Sequence, residues 1–182
     1  SDQPLSSSYG PRPLYSESDR YDFHRGLDIA TPLGTPVFAI ADGLVQIAGV
    51  DSGYTDPVIK LRHFRPGQTS CASVGCYYSL YLHVGDWVVP VGANVSKGQL
   101  IGHTGASSAS DFAHLHFEVR DAPASDPNSA WSRDAVHPLR VLPYSRSAQH
   151  GAYGLRSRAA AWRSPPAAME SGLAVATGLS GS

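Results

Sequence analysis

The 182-residue sequence predicts a single, mostly β domain built on antiparallel sheets, with few or no long helices. Two observations carry this. Short runs of β-branched, aromatic and aliphatic residues recur along the chain, each bounded by Gly, Pro, Asn or Asp, which is the pattern of strands joined by turns. The length suffices for one domain with a real core and a tail, but not for two independent domains.

The predicted strands follow in order. "TPVFAIA" (35–41) is the first clear run. "ADG" then reads as a tight turn, because Asp-Gly readily supplies positive φ, and leads into "GLVQIAGV" (43–50). "PVIKLRHF" (57–64), "YYSLYLHV" (77–84) and "DWVVPVG" (86–92) continue the series. "VGANVSKGQLIG" reads as two short strands around a turn, with Gly98 where the chain bends, and "QLIGHTG" (99–105) and "HLHFEVR" (114–120) complete the set. After "HPLRVLPY" the composition shifts to Ala, Ser, Gly and Arg. Residues 1–144 are therefore read as the folded domain and 145–182 as a tail or linker, mostly disordered. Its one helix-like stretch, "LRSRAAAWR", is brief and stops before Pro165, and the alternative is a short helix lying against the domain.

Composition removes several classes of function. The formal net charge of −1 provides no basic field for nucleic acid, and the arginines are scattered. No apolar run approaches the roughly 20 residues of a membrane span. The polar start "SDQPLSSSYG" is not a signal peptide, so the reading is a chain whose leader has been removed or a piece of something longer. Cys71 and Cys76 make a poor zinc site without further partners, and a short disulfide-closed loop is the simpler account. That favours an oxidising compartment: the periplasm, the cell surface or the exterior.

"AHLHFEVR" (113–120) poses the chemical question. Side chains alternate along a strand, so His114, His116 and Glu118 share one face while Leu115, Phe117 and Val119 share an apolar, core-facing one. In "FHRGLDIATPLGTPVFAIADG", His24 and Asp28 are four apart, an even offset that places them on one side of an extended segment. In "YSLYLHV", alternation puts Tyr81 and His83 on one face and Leu80 and Leu82 on the other. Together these residues are enough for an open catalytic zinc site, with three protein ligands and the fourth position left to water. Spacing alone leaves His114 ambiguous, because alternate strand histidines can both bind one metal.

"SYGPR", "FHRGLDIATPLGTPVFAIADGLVQIAG", "YSLYLHV", "VGANVSKGQLIGHTG" and "AHLHFEVR" occur in the order and spacing of the M23 peptidase family. The chain thus resembles a lysostaphin- or LytM-type zinc metallopeptidase from about Ser8 to Tyr144. The resemblance implies the antiparallel fold of that family with its open groove, and an endopeptidase that cuts peptide crosslinks of bacterial cell-wall peptidoglycan, secreted or facing the cell envelope. It places one zinc ion on His24, Asp28 and His116, and gives His83 and His114 catalytic roles. Arg12, in "YGPRP", falls where family members carry a Tyr or Arg near the developing oxyanion. The alternative reading is a non-catalytic member of the same fold that binds wall material or activates another hydrolase. Such members tend to lack the ligands, and all five motif residues are present here.

His63, His103, His137 and His150 are read as histidines away from the metal, and Glu118 as a carboxylate that orients a neighbour or meets solvent. The insertion "FRPGQTSCASVGC" enlarges the hairpin loop before the strand that carries His83. The expectation is that it borders the substrate groove and alters specificity.

Overall fold

The computed structural model describes residues 5–13, 21–108, 110, 112–126 and 134–142. The proposed boundary after residue 144, the tail and His150 lie outside the described residues. Among the described residues the chain forms β1 (Leu5–Ser7), β2 (Gly10–Pro13), β3 (Tyr21–His24), β4 (Leu27–Ala30), β5 (Pro36–Phe38), β6 (Gly43–Gly49) and β7 (Val58–Phe64). These are followed by β8 (Cys76–Leu82), β9 (Val84–Trp87), β10 (Asn94–Val95), β11 (Leu100–Thr104), β12 (His114–Ala122) and β13 (Ala135–Val136), with a short 3-10 turn at Pro138–Arg140. No described helix is long and apolar enough to cross a membrane.

The strands make an eight-stranded sheet in the order β1-β4-β12-β8-β7-β6-β10, with β13 beside the far half of β12. A three-stranded sheet, β5-β11-β9, and a two-stranded ribbon, β2-β3, complete the architecture. The pairings are antiparallel throughout the described strands.

Alternation decides which side chains meet where. Leu115, Phe117 and Val119 of β12, Tyr81 of β8, Ile59 and Leu61 of β7, and Leu27 and Ile29 of β4 point to one face of the large sheet. There they pack against Val37 and Ile101 of the small sheet, and this sheet-on-sheet layer is the main core. Val58, Tyr78, Leu80 and Ala122 face the other way and join Cys71 and Cys76 in a smaller cluster. His114, His116, Glu118 and Arg120 belong to that second face, alongside Asp28, whose register partner is His116.

Four local expectations need correction. "ADG" does not join two strands of a hairpin: β5 and β6 lie in different sheets, and Gly43 has no positive φ. Glycine is required there for space, since a Cβ would lie 2.7 Å from both the Arg62 carbonyl oxygen and His63 Nδ1. His24 and Asp28 do not share one extended strand. The chain bends at Arg25 and Gly26, so His24 ends β3 of the ribbon while Asp28 sits in β4 of the large sheet.

His83 falls in the break between β8 and β9 with φ 62, the one non-glycine positive φ among the described residues. Tyr81 points into the main core, so continued alternation would have buried His83 there too; the left-handed backbone turns it out toward the face of His114 instead. Finally, the inserted loop is joined to the Cys76 end of β8, whereas His83 follows Leu82 at the other end. Seven strand residues separate the two ends, roughly 20 Å at 3.3 Å per residue, so the loop stands away from His83. It is closed by a Cys71–Cys76 disulfide and tied to β12 by an Arg65–Asp121 ion pair.

Candidate metal centre

His24, Asp28 and His116 each offer a ligand atom, and these atoms lie within 4.8 Å of one another. Asp28 Oδ1 is 3.1 Å from His24 Nε2 and 2.8 Å from His116 Nδ1, and the two ring nitrogens are 3.0 Å apart. Three separate elements deliver them: the end of the ribbon, β4 and β12.

The outer nitrogens of the two rings decide what the inner ones can do. His24 Nδ1 faces the Ser8 carbonyl oxygen at 2.7 Å, which can only accept, so it carries the proton. His116 Nε2 likewise donates to Glu118 Oε1 at 3.0 Å. In the neutral rings His24 Nε2 and His116 Nδ1 are then lone pairs, and both point at an anionic oxygen. Three acceptors this close repel one another unless a cation or a proton lies among them. A divalent cation that favours imidazole and carboxylate fits this donor set, and zinc is the ordinary choice. The same outer contacts fix the orientation of both rings, as partners of metal-binding histidines do.

The charges respond in kind. Burial alone would raise the Asp28 carboxyl, but hydrogen bonds to His116 and His24 hold it well below the usual carboxylate range. Burial opposes charge on His116, yet its bonds to Asp28 and Glu118 outweigh that and push it up to about 9. Glu118 is itself lowered despite burial, by His116 and by Arg120, whose Nε donates to Glu118 Oε2 at 2.7 Å. Arg120 also donates to the Tyr54 hydroxyl at 3.2 Å. Sequence reading singled out neither Arg120 nor Tyr54. The alternation of His114, His116 and Glu118, extended by one more step, reaches Arg120; nothing in the sequence marks Tyr54.

His83 and His114 stand beside this cluster, their ring centroids 4.6 Å apart. His114 Nδ1 donates to the Phe112 carbonyl at 3.2 Å, leaving Nε2 3.7 Å from Asp28 Oδ1. His83 Nδ1 donates to Asp56 Oδ2 at 2.6 Å, a partner that no motif indicated. Burial and the neighbouring His114 lower the His83 pKa against the pull of Asp56. Arg12 reaches the far oxygen of Asp28, Oδ2, at 3.5 Å, and also contacts Asp22 and Ser7. All six residues singled out for the site thus gather on one face of the large sheet. His63 lies in the core between the Asp42 carbonyl and Ser79, His103 pairs with Asp86 in the small sheet, and His137 caps the 3-10 turn.

A model of the family described as Peptidase family M23 matches residues 22–128. The chain belongs to this family. Among curated relatives, the peptidoglycan DD-endopeptidase ShyA of Vibrio cholerae is 34% identical over 115 residues, covering 63% of this chain and 24% of the relative. The DD-carboxypeptidase/endopeptidase Mpg of Neisseria meningitidis is 34% identical over 116 residues, 64% of this chain and 24% of that one. The M23 chain therefore spans about a quarter of the length of these relatives. Among solved structures, the catalytic domain of the antimicrobial peptidase lysostaphin from Staphylococcus simulans superposes with a TM-score of 0.58 at 29% identity, over 75% of this chain and 90% of that one. A zinc-containing peptidase from Vibrio cholerae gives 0.54 at 31%, over 71% and 36%. The M23 match begins at Asp22, so it includes His24, Asp28, His83, His114 and His116 but not Arg12.

Proposed function

We propose that this M23 domain is a zinc-dependent endopeptidase that hydrolyses peptide crosslinks of bacterial peptidoglycan, secreted or at the cell envelope. One observation carries the reading. Four imidazoles and a carboxylate converge, and each imidazole has its outer N–H tied to an acceptor-only oxygen; the other nitrogens of His24, His116 and His114 face Asp28, and that of His83, 3.5 Å from Ser107 Oγ, is left as a lone pair beside the His114 ring. His24, Asp28 and His116 would hold the metal. A zinc ion there supplies Lewis acidity toward a peptide carbonyl and a water acidified for attack.

The chain's own groups do the rest. His114, with Nε2 facing Asp28, and His83, its ring beside that of His114, accept the proton of the attacking water and return it to the leaving amine. Arg12 brings a fixed positive charge to the Asp28 side of the site, where it can favour the oxyanion. Phe112, more than half exposed and 5.3 Å from His114 ring to ring, offers an apolar wall to a peptide. The names of the relatives direct the first choice of substrate to crosslinks between D-amino-acid stem peptides. The disulfide fits an oxidising compartment.

Zinc-loaded protein is to be incubated with walls carrying either direct stem-peptide crosslinks or glycine bridges, and new termini identified by mass spectrometry. New amino termini at the stem-peptide crosslink, absent with His116→Ala, are expected. A zinc-loaded chain that releases termini from neither wall type overturns the reading and leaves a wall-binding role.

A further inference from the structure

Asp56 lies in the loop between β6 and β7, outside every motif of the site and 27 residues from His83. Its Oδ2 accepts two hydrogen bonds: from His83 Nδ1–H at 2.6 Å, and from the backbone N–H of Ser108 at 2.9 Å. Both side chains of the Asp56–His83 pair are only 11% exposed, so water competes weakly for this contact. The His83 backbone is held from the same direction, because its carbonyl accepts from Gly105 N–H at 2.7 Å. Gly85 and Gly105 pack backbone to backbone, and a Cβ on Gly105 would fall 2.6 Å from Gly85 Cα. The segment around His83 is thus clamped between the β6–β7 loop and the segment leading into β12.

The clamp has something to hold. His83 has φ 62, a left-handed conformation that is strained for a residue with a Cβ and persists only where its surroundings enforce it. The two ring nitrogens are chemically distinct, and the hydrogen bond made by one sets the state of the other. A carboxylate oxygen can only accept, so Asp56 requires the proton on Nδ1 and leaves the lone pair on Nε2.

We propose that Asp56 is a positioning residue for hydrolysis: its carboxylate fixes His83 as the Nδ1–H tautomer and aims Nε2 into the site beside His114. This rests on the reading of His83 as a proton-handling group. Asp56 touches neither the proposed ligands nor the reacting atoms, and acts through His83 alone. Its bond to Ser108 offers the rival account, a purely structural brace for the segment before β12.

The test combines three measurements on zinc-loaded protein: zinc content, steady-state kinetics on a crosslinked muropeptide, and ring ¹⁵N shifts of His83. Asp56→Ala should keep its zinc and its KM while kcat falls by about 10- to 100-fold, and the His83 ring should pass from Nδ1–H to a mixture of tautomers. Asp56→Asn should lose less, because Ser108 N–H keeps its amide oxygen turned toward His83. Against a His83→Ala background, either substitution at Asp56 should change kcat less than about twofold, as expected of residues that act as one unit. Three results would each overturn the proposal: a kcat for Asp56→Ala within twofold of wild type, an unchanged His83 tautomer, or a loss that persists in full without His83. If wild-type protein cleaves nothing, the functional reading falls, while the ring shifts still decide whether Asp56 sets the state of His83.

Discussion

Gly26→Ala should dismantle the metal centre without touching a ligand. Gly26 is buried in the bend between His24 and Asp28 and has no positive φ, so the backbone itself would accept alanine. Space would not. A Cβ would lie 2.5 Å from the Phe117 carbonyl oxygen, 2.8 Å from His116 Nε2 and 3.0 Å from His116 Cε1. The closest C···O contact normally tolerated is about 3.3 Å, so the bend and β12 must separate by roughly 0.8 Å. Rotating the imidazole cannot relieve this, because the nearest atom is backbone of β12, held between Leu27 of β4 and Tyr81 of β8. The separation carries His24 and Asp28 away from His116 and strains the His116–Glu118 bond. Overpacking of this kind costs about 1 to 3 kcal/mol, and zinc affinity should fall about 10- to 100-fold, as when a supporting contact of a ligand is lost. Competition with a chromophoric chelator gives the affinity, and thermal melting in EDTA gives the stability of the metal-free fold. A folded Gly26→Ala protein with zinc affinity within twofold of wild type would refute the steric argument.

Ala substitutions at His24, Asp28 or His116 should remove zinc and activity together, while His83→Ala and His114→Ala should keep near-stoichiometric zinc and lose most of kcat; atomic spectroscopy beside wall-hydrolysis rates separates the two groups. A His114→Ala protein without zinc would make His114 a ligand. Reducing the Cys71–Cys76 disulfide closes off about 2 kcal/mol of stability in the chain-entropy account, measurable by urea unfolding, yet should leave turnover unchanged, because the loop stands at the far end of β8 from His83. His63 supplies a pH dependence: burial, opposed by its contact with Asp42, lowers its pKa to about 4 against 6.5 for a free histidine. Between those values the unfolded chain binds more protons, so stability is full above pH 6.5 and declines as pH falls toward 4. The loss at pH 4.5 is about 2 to 3 kcal/mol, and urea titrations should show it in wild type and not in His63→Gln.

Strands β6, β7, β8, β10 and β12 of the large sheet and the three strands of the small sheet were legible because each falls in a run of strand-forming residues bounded by turn residues. Leu115, Phe117 and Val119 against His114 and His116 is the clearest case, and the register with Asp28 follows from it. Strands β1, β4 and β13 of the large sheet and the β2-β3 ribbon fell in none of the predicted runs. These strands run from two to four residues, too short for a period to declare itself. The family resemblance singled out the candidate residues, whereas spacing alone misjudged how three of them come together. His24 and Asp28 face each other across a bend between two sheets, and His83 reaches the site because alternation stops at it.

What spacing could not reveal is the support around those residues. Asp56 meets His83 across 27 residues and Ser108 across 52, and no local pattern links them. The same loop places the Tyr54 hydroxyl on Arg120, which holds Glu118, which in turn fixes the His116 ring. Two residues of one loop therefore reach two different histidines of the site, one directly and one through a relay of charged groups. Ionised and buried contacts of this kind are stronger than neutral ones, and truncating any member removes one of its partner's contacts. Tyr54→Phe should accordingly weaken zinc binding more than it slows turnover of the zinc-loaded protein, and Asp56→Ala the reverse. Comparing zinc affinity and kcat for the two variants distinguishes a loop that serves the ligand and the catalyst separately from one that merely stiffens the whole site, for which both readouts would fall together in both variants.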